Sequence, residues 1–124
     1  LHFCTFYWPH EICEAFGEAI AAYDELTTLS FVDGAIGDGC VRKPANPQAL
    51  RTLMQHVPTR SKLHHARYHD MRASTECIEI FVSSLPPSIQ FLALPENPLR
   101  DPCAHMLARV LPTKTPKLSY LDFK

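Results

Sequence analysis

Charge of one sign is missing from this chain. Twelve Lys and Arg against 13 Asp and Glu leave a formal net charge of −1 over 124 residues. That balance offers no electrostatic case for nucleic acid or a membrane surface as partner. Long apolar runs are missing too, and none approaches the roughly 18–20 residues a bilayer span requires. The opening Leu-His-Phe-Cys carries no charged leader, so it does not read as a signal peptide. Five cysteines form an odd set with no Cys-x-x-Cys pair. This argues against a zinc site and for small buried thiols in a reducing, cytoplasmic setting. Catalytic signatures are equally scarce. There is no His-Glu-x-x-His, no Gly-x-Ser-x-Gly around any serine, and no Gly-rich loop with a phosphate-binding Lys, so an enzyme is not expected. With 46% apolar and 20% charged residues the chain is still globular in character and the size of one domain.

What is present is a phase relation. In the stretch Ile89–Cys103, Ile89, Leu92, Leu94 and Leu99 stand at offsets 0, 3, 5 and 10, with Asn97 at offset 8. That spacing is neither a plain alternating strand nor a helix stripe. Leu26, Leu29, Phe31 and Ile36 repeat the offsets, Leu63, Ala66, Tyr68 and Ala73 do so more loosely, and Leu118, Leu121 and Phe123 open a fourth copy. Counting 14 from Leu26, Leu63 and Ile89 reaches Cys40, Cys77 and Cys103, with Asp38, Thr75 and Asp101 two residues earlier. The N-terminus fits if it joins midway, with Leu1 at offset 5, Cys4 at the Asn position and Phe6 at offset 10.

This register resembles the leucine-rich repeat family, and the Leu-x-Asp-x-small ending before a helix is similar to its ribonuclease-inhibitor-like class. The resemblance implies an α/β horseshoe solenoid, with parallel strands on the inner face and helices on the outer. It also implies a role in protein recognition, as part of a scaffold, receptor or adaptor. About four strand-helix units are expected in a single domain over 1–124, with both ends cut within a repeat. Such ends lack polar caps, so self-association through them is expected.

Taken in order, Glu11–Tyr23 is expected to be an amphipathic helix with Ile12, Phe16, Ala19 and Ile20 inward and Glu11, Glu14 and Glu18 outward. Strand starts lie 37, 26 and 29 residues apart. The surplus near 41–48, with Pro44, Asn46 and Pro47, reads as an inserted solvent-exposed loop. Asn46 then caps a helix carrying Ala49, Leu50, Leu53 and Val57. Thr75 is expected to cap Cys77–Leu85, with Ile78, Phe81, Val82 and Leu85 inward. Asp101 should cap Cys103–Leu111, with Leu107, Val110 and Leu111 inward and Pro112 beyond its end. Gly34, Gly37 and Gly39 are assigned to a turn requiring positive φ rather than to a nucleotide loop.

In this register offsets 0, 3 and 5 point to the core and offsets 2, 4, 6 and 7 face out of the sheet. The expected partner-binding face is therefore Thr28 and Ser30; His65, Arg67, His69 and Asp70; Phe91 and Glu96; and Tyr120 and Asp122. Val32, Asp33, Ala93, Pro95 and Lys124 lie among them, and His2 and Phe3 at the first edge. Aromatic and Arg side chains supply most anchoring energy in protein interfaces, and Phe91 and Tyr120 have no core reason to lie on that face. The competing hypothesis is a metal-binding or hydrolytic domain around His65, His69 and Asp70. On a helix, His at i and i+4 would share a face and could hold zinc. In a strand register the two imidazoles stand farther apart. No cofactor or metal is therefore assigned.

Overall fold

A computed structural model describes residues 1–37 and 43–124. Asp38, Gly39, Cys40 and the first part of the insertion, 41–42, lie outside the described residues. The chain is an α/β protein. In order it forms β1 (His2–Cys4), β2 (Tyr7–Trp8), α1 (His10–Ala22), β3 (Thr28–Val32), β4 (Ala35–Ile36), α2 (Pro47–Met54), β5 (His65–His69), α3 (Thr75–Ser83), β6 (Phe91–Ala93), α4 (Asp101–Lys114) and β7 (Tyr120–Asp122). Among the described residues β1, β3, β5, β6 and β7 make an open parallel sheet in that order, and β2 pairs with β4 in a small second one. No helix among them is long and apolar enough to cross a membrane.

The offset rows become rows in space. Leu29 lies opposite Ala66, Ala66 opposite Leu92 and Leu92 opposite Leu121. Strand side chains alternate faces, so Leu29, Phe31, Ala66, Tyr68, Leu92 and Leu94 all enter the core, each fully buried. Leu26, Leu63 and Ile89 precede the strands and are buried as well. Four helices cover this face, each packed on the next from α1 to α4. The turns after β1, β3, β5 and β6 each place a non-glycine residue in the left-handed region at the same position, Thr5, Asp33, Asp70 and Glu96, with φ between 49° and 57°, and the turn after β5 adds Arg72 at 53°.

Several local expectations are corrected. Phe3, not Leu1, stands opposite Phe31, so the N-terminal unit is shifted by two residues. Phe3 belongs to the core layer and Phe6 to the Asn position. The slip keeps strand parity but moves Phe3 from the edge of the expected outer face into the core layer, where its ring packs on Phe31. Phe3 stacks on Phe31 at 5.6 Å, and Trp8 stacks on Phe16 at 4.4 Å.

On α1 the buried residues are Cys13, Gly17 and Ile20, while Ile12 and Ala19 are exposed. A Cβ at Gly17 would lie 2.7 Å from the Thr52 carbonyl oxygen, so small residues set this helix against α2. Ser74 rather than Thr75 caps α3, accepting from the Cys77 N–H at 3.2 Å. Asp101 is the first residue of α4 rather than its cap, and that helix runs through Pro112 to Lys114. Asn46 caps α2 as expected, accepting from the Ala49 N–H at 3.1 Å.

In the turn after β3 positive φ falls on Asp33 and Gly37, at 53° and 85°, and not on Gly34. Gly34 is needed for space, since the Phe6 ring passes 2.2 Å from where its Cβ would be. In the described end of the insertion Lys43, Pro44, Asn46 and Gln48 are exposed, and the segment is held at Ala45 and Asn46. Ala45 is buried, the Asn46 N–H bonds the Ile36 carbonyl at 2.8 Å, and the Cys77 thiol bonds the Ala45 carbonyl at 3.2 Å.

Candidate functional site

The face of the sheet away from the helices carries the even offsets, arranged in rows across the strands. The first row runs Thr28, His65, Phe91 and Tyr120. Its three rings form a continuous stack. His65 lies on Phe91 at 4.1 Å and 21°, and Phe91 on Tyr120 at 4.5 Å and 4°. Tyr120 is the most open member at 52% exposure. Burial against this stack pushes the His65 pKa down, and His64 and the Arg67 cation add to the effect. The imidazole is therefore neutral near pH 7 and behaves as a third aromatic ring.

The second row is His2, Ser30, Arg67, Ala93 and Asp122. Arg67 stands near its middle. Its Nη2 donates to His69 Nδ1 at 3.1 Å. An arginine has no acceptor, so the neutral imidazole carries its proton on Nε2. That nitrogen lies 3.4 Å from Glu96 Oε2. Arg67, His69 and Glu96 thus form a polar chain running toward the turns. Ser30 is a correction to the expected face. It is 3% exposed and its hydroxyl has no partner among the described residues, because its larger cross-strand neighbours close over it. Ala93 and Pro95 are buried as well. Thr28, His65, Arg67, His69, Asp70, Phe91, Glu96, Tyr120 and Asp122 keep access to solvent.

The turn row adds a residue that the periodic pattern did not single out. Arg72, itself at φ 53°, reaches Asp33 of the preceding turn in a very short contact and stands 3.8 Å from Asp70. One guanidinium therefore ties two successive turns together. The only hint in the sequence was the pair of outward acids at offset 7, which called for a cation without naming it. The Asn97 side chain is turned inward. It accepts from the Met71 and Ala73 N–H groups at 3.0 and 3.3 Å and donates to the Tyr68 carbonyl at 2.6 Å.

His65, His69 and Asp70 do not converge. Four residues of strand separate the imidazoles by roughly 13 Å along the backbone. His65 is engaged by Phe91, His69 by Arg67 and Glu96, and Asp70 approaches Arg72. Among the described residues no group of three His, Cys, Asp or Glu side chains could hold a metal ion. An open cleft of about 350 Å³ lies beside the end of β7, lined by Asn97, Leu99, Arg100, Asp101, Ala104, Leu107 and Phe123. Comparison with protein-family models, with curated proteins and with solved structures finds no match.

Proposed function

We propose that the chain is a leucine-rich repeat solenoid of the ribonuclease-inhibitor-like class, a horseshoe with the sheet inside and the helices outside, and that its open sheet face binds another protein. The observation carrying this reading is the stack His65–Phe91–Tyr120 beside Arg67. Three rings and a guanidinium on a solvated sheet face contribute nothing to the core, and they are the side-chain types that anchor interfaces. The solenoid reading is supported by the strands lying in chain order, by the offset rows lining up across them, and by the four turns sharing one left-handed residue. The four described cysteines are unpaired, which favours a reducing compartment such as the cytoplasm.

Capture from a cell extract is the test, run with the natural chain, a face variant (Phe91→Ser with Arg67→Glu) and a helix-side control (Arg51→Glu). A protein held by the natural chain and the control but lost from the face variant is the expected result. If every captured protein also binds the face variant, the reading is wrong.

A further inference from the structure

We infer that the partner on the open sheet face is anchored by a carboxylate, an Asp or Glu side chain taken jointly by Arg67 and Ser30. This rests on the reading of that face as a protein-binding surface and names the chemistry it recognises. Ser30 and Arg67 stand opposite each other in β3 and β5, on the same face. Both strands lie inside the sheet, each with a neighbour on either side. Each residue carries a buried polar atom without a partner among the described residues, the Ser30 hydroxyl and the Arg67 Nε. Ser30 is only 3% exposed. Buried polar groups in folded proteins are as a rule paired, so two unpaired donors side by side call for an acceptor brought from outside the chain.

Arg67 also differs from other arginines of the chain in what it holds. Arg51, Arg60, Arg72 and Arg109 each reach a carboxylate. Among the described residues Arg67 reaches none, and its Nη2 donates instead to the neutral His69 at 3.1 Å. A guanidinium has five N–H donors and no acceptor, and the edge formed by Nε and Nη2 matches the two oxygens of a carboxylate. Here Nε is idle and Nη2 is spent on an uncharged imidazole, so an incoming carboxylate displaces His69 and takes both. The Ser30 hydroxyl, free to rotate, donates a third bond from across the strand pair. His69 then loses its donor at Nδ1 while Nε2 stays beside Glu96, 3.4 Å away.

Charge limits the anion to a single negative unit. Asp70, Glu96 and Asp122 keep access to solvent on the same face or its turns, and Arg72 beside them is already held by Asp33. A phosphate dianion would meet these acids with one guanidinium to offset it, whereas a carboxylate matches Arg67 one for one. The stack of His65 on Phe91, at 4.1 Å, borders Arg67 with apolar surface. There a guanidinium–carboxylate pair is stronger than in open water, and the rings receive the partner's neighbouring side chains.

An NMR titration of the full chain tests this, at a pH above the range in which histidine takes up protons. The probes are a blocked Gly-Glu-Gly peptide, its Gly-Gln-Gly counterpart and inorganic phosphate, and the signals followed are the Arg67 side-chain N–H, the Ser30 amide and the His69 ring nitrogens. The expected result is a saturable shift of all three with the Glu peptide, about tenfold weaker with the Gln peptide, and phosphate binding no tighter than the Glu peptide. Arg67→Lys, which keeps the charge but loses the two-donor edge, should weaken the Glu peptide about tenfold. Ser30→Ala should weaken it about threefold, and the spectrum of each variant reports that it is folded. Equal binding of the Glu and Gln peptides, tighter binding of phosphate, shifts that map elsewhere, or affinity unchanged in either variant would overturn the inference. A failed titration beside a successful capture removes the carboxylate and leaves the partner reading standing. A saturable titration beside a failed capture instead overturns the reading on which the inference rests.

Discussion

The junction between β1 and β3 and the junction between β5 and β6 have the same register and are sealed by opposite chemistry. At the first, rings fill the volume. Phe3, Phe6, Trp8 and Phe16 pack together and on Phe31, with Phe3 and Trp8 at 4.8 Å and Phe6 and Trp8 at 4.3 Å. The backbone of the turn is satisfied by the small second sheet, in which the Ala35 N–H bonds the Phe6 carbonyl at 2.9 Å and the Gly37 N–H bonds the Trp8 carbonyl at 2.8 Å. At the second junction among the described residues no such strand pair follows, and the Asn97 side chain meets the Met71 and Ala73 N–H groups instead. Between them Met71 is intermediate, its sulfur accepting from the Gly34 N–H at 3.2 Å. The turn between strands therefore does not demand asparagine. It demands a filled space and a partnered backbone, and either a side-chain amide or a ring over a strand pair meets the demand.

That contrast can be broken at either end. The largest effect is expected at Phe31, the ring both neighbouring units share. Phe31→Ala should cost about 3–5 kcal/mol by opening a cavity, and a loss under 1 kcal/mol in urea unfolding would mean that the rings do not hold the junction. Next comes Asn97→Leu, which strands buried donors and should cost about 1–3 kcal/mol. An unchanged melting temperature there would show that the amide does not hold the second junction. Gly34→Ala forces the Phe6 ring aside and should cost about 1–2 kcal/mol, the lower part of the range for overpacking, since a ring can tilt where a backbone cannot. Combining it with Phe6→Leu should recover part of that loss, and full additivity of the two would refute the steric account.

The smallest effect sharpens the contrast between rings in the core and rings on the open face, because one of the latter titrates. The His65 pKa lies below its ordinary 6.5 in the folded chain. The unfolded chain therefore takes up that proton first as pH falls, and the contribution present above about 6.5 is lost below it. Urea midpoints should drop between about pH 7.5 and 5.5, and His65→Phe, which keeps the stack, should flatten part of the drop. An identical slope in the variant would remove His65 from the account.

The strands, the inward rows and Asn97 were legible because each follows from a local period. Leu, Ile and Phe at fixed offsets must share a face, whatever lies beyond. Helix starts were legible to within two residues, but the caps at Ser74 and Arg100 were not, because Thr75 suits the position about as well as Ser74 and Asp101 suits it better than Arg100, whose side chain makes no capping bond. Ser30 counts as outward by parity and is outward, yet its neighbours bury it. Parity assigns a face without reporting the size of the side chains on either side. Arg72 escaped notice because its two acids lie one on the preceding turn and one on its own, a relation no single turn contains.

By itself the sequence determined the periodic rows, the side of the sheet occupied by the residues of β3, β5, β6 and β7, and the spacing between strands, since all three depend on spacing along the chain. Only the tertiary structure decided that Phe3 rather than Leu1 meets Phe31, that α1 packs through Cys13 and Gly17, and that Ser30 is covered. Sliding a strand by two residues, turning a helix through a small angle or growing a neighbouring side chain leaves the pattern along the chain unchanged. These choices rest on how rings and small residues fit across strands and helices, and that fit exists only once the units are stacked.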